Sequence, residues 1–167
     1  YLAAIGYTAD TYRDAMRRDL LRKRMTESIG STVAATAEQV HALLILVGTE
    51  AEARDLLAQI QGGADFASLA LEHSLDASSR VAGGDLGWFA RDTLTMPEIE
   101  TAAFALEPGG VSDVVATPLG YAIVRVEERD PQRALDDDQL RAVRDAAVRT
   151  WLADQLAKAQ IETFVTP

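Results

Sequence analysis

Three glycine pairs punctuate the middle of this chain: Gly62-Gly63, Gly83-Gly84 and Gly109-Gly110. Glycine reaches backbone conformations closed to other residues, so such pairs stop helices and turn the chain into strands. Between residues 38 and 129 they leave room only for short elements, and strand and helix signals alternate there. Val40 to Val47 is β-branched and leucine-rich and reads as a strand. Ala51 to Ile60 is an amphipathic helix with Ala53, Leu56, Leu57 and Ile60 inward, stopped by Gly62-Gly63. Asp65 to Glu72 predicts a second, shorter helix, and Leu86 to Ala90 a strand after the Gly83-Gly84 turn. Pro97 suits the first turn of a helix running to Phe104. Val111 to Ala116 and Gly120 to Val126 make two more strands around a Thr117-Pro118-Leu119 turn.

The flanks follow a different pattern. Thr8 can cap a helix over residues 8–29, with Asp10 and Asp14 near its start and Arg22, Lys23 and Arg24 near its end. Tyr12, Met16 and Leu20 form one apolar stripe; Leu21, Met25 and Ile29 form an adjoining one. The Thr/Ala-rich stretch 32–39 reads as a linker, with Thr36 capping a short turn. Residues 134–162 predict one long helix with Asp136, Asp137 and Asp138 at its positive end. Leu140, Val143, Ala147 and Trp151 make its stripe, widened by Val148, Leu152 and Leu156. A lone amphipathic helix does not hold an apolar face in water. The two are therefore expected to pack together across the inserted middle segment, as arms 1–36 and 131–167 around a domain 37–130.

Composition narrows the chemistry. The 167 residues are 48% hydrophobic and 25% charged, a globular balance. The longest apolar run, ALLILV at 42–47, is strand-sized and far short of the roughly 18 residues a membrane span needs. The start, Tyr1-Leu2-Ala3-Ala4-Ile5, has neither the basic flank nor the cleavage pattern of a secretory signal. Lacking an initiating methionine, the chain is expected to be a fragment whose targeting segment lies elsewhere. Without cysteine there is no thiol catalysis, disulfide or thiolate metal site. His41 and His73 lack metal-ligand spacing. A net charge of −10 argues against nucleic acid, whose binding needs phosphates neutralised. Residues 37–129 hold five basic and fifteen acidic side chains, so the middle segment is the acidic one.

The stretches GGADFASLALEHSLD (62–76), GGDLGWF (83–89) and FALEPGGVSDVVATPLGYAIVRVEE (104–128), in this order, carry a resemblance. Segment 38–129 resembles a parvulin-type (PpiC-like) peptidyl-prolyl cis/trans isomerase domain, and the flanking helices are similar to the arms of the SurA and PrsA envelope chaperones. The resemblance implies an α+β fold: a four-stranded antiparallel or mixed sheet surrounded by helices and inserted between the arms. It implies unfolded or proline-containing polypeptide clients, an extracytoplasmic setting, a homodimer through the arms, and neither metal nor cofactor.

Such a domain lowers the rotation barrier of an Xaa-Pro bond, about 18–20 kcal/mol, without covalent chemistry. An apolar pocket holds the proline ring, and oriented donors and electrostatics favour the twisted amide. By the resemblance, Asp76 and Thr117 fall at the acidic and threonine positions of the active groove, and Leu86 at a pocket leucine. The departures matter more. The two strand histidines of the family are replaced by Leu44 and Ala122. The pocket phenylalanine is Ile99, and the methionine of that region aligns with Thr95 beside Met96. Trp88 is a further candidate for the groove, as is Phe104, although Phe66, Leu69, Ala70, Phe104 and Leu106 are spaced as core. His41 precedes Leu44 by three strand positions and so points to the other face. His73 ends a helix and is expected at the surface. The implied function is a polypeptide-binding foldase with isomerase activity weak or lost. An active isomerase using the apolar pocket and Asp76 is the alternative, and a non-catalytic interaction module is the third reading.

Overall fold

The computed structural model describes residues 8–159. Two compact units emerge from it, residues 35–142 and residues 8–34 with 143–159.

The larger unit is α+β. β1 (Thr36–Val47), β2 (Asp85–Ala90), β3 (Val115–Thr117) and β4 (Gly120–Ala134) form one sheet in the order β2-β1-β4-β3. Every pairing is antiparallel. β1 and β4 are longer than expected. Thr36 pairs with Ala134, so the Thr/Ala-rich stretch is largely strand and Thr36 caps no turn. β-Branched and small residues tolerate a pleated ladder once a partner strand exists, and only the fold supplied one. β3 is shorter than expected, and Val111 adds a single bridge to Arg125.

Strand alternation gives the sheet two apolar faces. On one, Val40, Ala42, Leu44, Leu46, Ala122, Val124 and Val126 meet α5 (Pro97–Phe104) through Ile99, Ala103 and Phe104. On the other, Ile45, Val47 and Ile123 meet α2 (Glu50–Gln61) and α3 (Phe66–His73). Side-chain caps start these helices: Thr49 receives the Glu52 N–H, and Asp65 the Ser68 N–H. Arg129 closes the far end of α5. Its guanidinium donates to the carbonyls of Phe104 and Leu106, at 2.9 and 2.6 Å, and to Glu38 at 3.0 Å.

The smaller unit holds α1 (Ala9–Gly30) and most of α6 (Asp137–Lys158). Thr8 caps α1, as the sequence predicts. Residues 160–162, expected to finish the last helix, lie outside the described residues. Packing between the arms is confined to one end: Gly30 and Ala146 are the buried residues of α1 and α6, and the Arg144 side chain lies against Gly30. Tyr12, Met16, Leu20, Leu21, Leu152 and Leu156 remain 41–63% exposed. The expected burial of both stripes therefore holds only near that junction.

Candidate functional site

The expected groove residues divide into two groups. Leu44, Ile99, Phe104 and Ala122 belong to a single apolar cluster, with Leu86 and Met96 packed against it. Asp76, Thr117 and Trp88 are held by other contacts, with serines, the β3–β4 hairpin and His41 respectively.

Within the cluster, Leu44 and Ala122 are 1% and 0% exposed, Ile99 1% and Phe104 6%. They form a closed core rather than the floor of an open cleft. The reason is that apolar groups at these strand positions need neither solvent nor a polar partner. α5 packs directly onto them, and burial is favourable by about 25 cal/mol per Å². Phe104 meets Phe89 edge-on at 6.1 Å and lies beneath the Arg91 guanidinium at 4.1 Å. What a guest could reach is the rim: Leu86, Leu94, Met96 and Val115 are only partly buried. A shallow apolar trough of about 530 Å³ runs beside it, between the outer face of α5 (Pro97, Thr101, Ala102, Ala105) and β3.

Asp76 is the N-cap of a one-turn helix, α4 (Ala77–Arg80), that the sequence pattern does not reveal. Its carboxylate accepts the hydroxyls of Ser78 and Ser79 and the Ser79 N–H. Burial raises its pKa, but the hydrogen bonds from Ser79 and Ser78 outweigh that and hold it below the ordinary carboxylate value of 3.8. The network runs onward to the sheet. Ser79 O accepts from Gly84 N, and Gly84 O accepts from Leu44 N at 2.8 Å. Gly84 has φ +88, and a Cβ there would run into the Leu44 carbonyl. Ser74, only 1% exposed, fixes the same segment by accepting the N–H groups of Leu46 and Asp76. Only its place two residues before Asp76 in the HSLD stretch hinted at this role.

Thr117 closes the β3–β4 hairpin. Its hydroxyl donates to Gly120 O at 3.0 Å and accepts from Leu119 N. Trp88 stacks on His41, centroids 5.7 Å apart, while Arg133 sits 4.2 Å from its ring centre. The indole is thus engaged with His41 and Arg133. In the β1–β2 ladder Trp88 lies opposite His41, beside a β-bulge that shifts the register before Leu43 and Asp85. His41 bonds Asp85 at 2.7 Å, and Asp85 is held below the usual carboxylate range: burial raises it, while the Gly87 N–H and His41 lower it further. His73 ends α3 with its side chain 40% exposed. His41 is thus tied to Asp85 and Trp88, and His73 lies beside Glu72.

Sequence reasoning also passed over Glu100. It is 9% exposed, and its carboxylate accepts from the N–H groups of Asp92, Thr93 and Leu94 at 2.7, 3.3 and 3.3 Å.

Comparison with known proteins follows the same outline. Residues 46–128 match the family described as "Rotamase: PPIC-type PPIASE domain". The chain is similar to "Foldase protein PrsA" of Geobacillus kaustophilus, 36% identical over 75% of this chain and 47% of that protein. It is also similar to "Chaperone SurA" of Aromatoleum aromaticum, 42% identical over 66% of this chain and 25% of that protein. Among solved structures, PrsA of Bacillus anthracis superposes with a TM-score of 0.61 at 26% identity, covering 94% of this chain and 84% of that one. The chain spans about half the length of curated relatives it matches. The sheet order, the glycine-marked β2 and the matched segment agree, and residues 46–128 belong to the parvulin-type, PpiC-like family of peptidyl-prolyl isomerase domains, similar to those of PrsA and SurA.

Proposed function

We propose that the protein is a polypeptide-binding foldase module that keeps the parvulin scaffold while its isomerase activity is weak or lost. The observation that carries this reading is the closed apolar packing of Leu44 and Ala122, where the family places two histidines. No imidazole among the described residues reaches that layer, so no ring is available to bond a twisting amide. Asp76 remains ionised at neutral pH but spends its acceptors on Ser78 and Ser79. Thr117 spends its hydroxyl on the hairpin.

Leu86, Leu94 and Met96 offer apolar contact to prolyl or aliphatic side chains of an unfolded client. The exposed stripe of Tyr12, Met16, Leu20 and Leu21 on α1 is a second holding surface. Similarity to PrsA and SurA supports an extracytoplasmic setting for the whole protein; a homodimer through the arms is part of the same proposal. Among the described residues no helix is long and apolar enough to cross a membrane.

The decisive experiment is NMR exchange spectroscopy on a short Xaa-Pro peptide, with aggregation of a denatured client followed in parallel. The expected result is little acceleration of cis/trans exchange together with suppressed aggregation. Strong acceleration by the wild-type chain would favour an isomerase working through the apolar rim and Asp76. Absence of both effects would leave only a protein-interaction module.

A further inference from the structure

The rim residues Leu94 and Met96 sit on a loop, residues 91–96, between β2 and α5, and loops at this exposure need an internal tether to hold a fixed shape. The first residue after Arg91 is already unusual. Asp92 has φ 65, the left-handed region that a non-glycine residue enters at a cost. That turn brings the N–H groups of Asp92, Thr93 and Leu94 to converge on one point. The Glu100 carboxylate occupies it from the buried side of α5, with Oε1 taking Asp92 and Oε2 taking Thr93 and Leu94. Thr93 closes the loop on its other side by donating its hydroxyl to Ala90 O at 2.7 Å.

A nearly buried carboxylate is costly to desolvate, and here its compensation comes from three backbone donors. Those donors belong to the segment that presents Leu94 and Met96 to the apolar cluster. None of these contacts involves the Asp76–Ser79 network.

We propose that Glu100 is a positioning residue for guest binding: it locks loop 91–96 so that Leu94 and Met96 form a fixed apolar rim. The inference rests on the polypeptide-binding reading above, because the rim matters only if guests use it. Glu100→Gln keeps the shape but replaces one acceptor oxygen with an amide that faces other N–H donors.

The test uses the full chain carrying ¹³C-methyl methionine, whose three methionines give three resolvable signals. Amide exchange of residues 92–94, the Met96 methyl signal and affinity for a proline-containing peptide with aliphatic flanks are measured in wild type and E100Q. The expected result is protected amides in wild type and roughly tenfold faster exchange in E100Q. The Met96 signal shifts while Met16 and Met25 do not, and peptide affinity falls roughly tenfold. Unprotected wild-type amides overturn the proposal without any variant. So does an E100Q protein that melts earlier yet keeps the Met96 signal and the peptide affinity of its folded fraction. If wild type binds no peptide, the functional reading fails, while the exchange and methyl data still decide whether Glu100 holds the rim.

Discussion

Leu44 and Ala122 face the same layer from adjacent strands. Leu44 pairs with Val124, and Ala122 with Leu46, which places the two diagonally, about 7–8 Å apart. Leu44→His or Ala122→His alone would bury an imidazole with no partner, costing about 1–3 kcal/mol each. Together the rings can reach one another, so the double variant is expected to cost less than the sum of the singles. A double-mutant cycle from urea denaturation measures that coupling. The double variant should also isomerise an Xaa-Pro peptide faster than wild type; no gain would mean that α5 has closed the pocket altogether. Asp76 makes a separate prediction. Its folded pKa lies below the unfolded value of 3.8, so its contribution is present above that pH and disappears as pH falls through the folded value. Asp76→Ala should lose about 1 kcal/mol at pH 7, as expected for an N-cap. The stability curves of variant and wild type should converge in acid. Curves that stay parallel down to pH 2 would show that the carboxylate's charge is not what stabilises the turn.

Gly84 and Arg129 carry the predictions at the level of elements. Gly84→Ala forces a side chain into a positive-φ position against the Leu44 carbonyl, and a loss of about 1–3 kcal/mol is expected from the backbone alone. Thermal melting reads it directly. Arg129→Met leaves the carbonyls at the end of α5 without their donor and Glu38 without its closest cation. A loss of about 1.5–3 kcal/mol is expected, and amide exchange should rise first near residues 104–106. The helix of residues 97–104 was legible in the sequence because Pro97 fixes its start and the Pro108-Gly109-Gly110 run follows it closely. α4 was not: four residues are too few to show a period, and only the cap that Asp76 places on the Ser79 N–H reveals the turn. The full length of β1 was hidden for a related reason. Its first residues have weak strand preference, and β4 supplies the missing ladder.

Across the whole molecule, the division into two units makes its own prediction. A fragment of residues 35–142 retains both apolar layers of the sheet and should unfold in one cooperative transition by circular dichroism. Removing residues 1–31 from the full chain should leave that transition in place while weakening suppression of client aggregation. Equal suppression with and without these residues would assign client holding to the sheet unit alone. The charge distribution belongs to this scale too. The acidic middle segment should bind a basic peptide more tightly than its acidic counterpart, with the difference shrinking as salt rises.

The amino-acid order alone carried the family-like architecture, the glycine-marked turns and the apolar identity of the strand positions Leu44 and Ala122, because these depend on local propensity, periodicity and residue identity. It could not say that Leu44 and Ala122 would be sealed beneath Ile99 and Phe104 of α5, that Trp88 would stack on His41, or that Glu100 would accept the amides of residues 92–94. Those outcomes depend on which surfaces meet after folding. A bulge in one strand and a buried carboxylate on one helix decide them, and neither leaves a periodic trace along the chain.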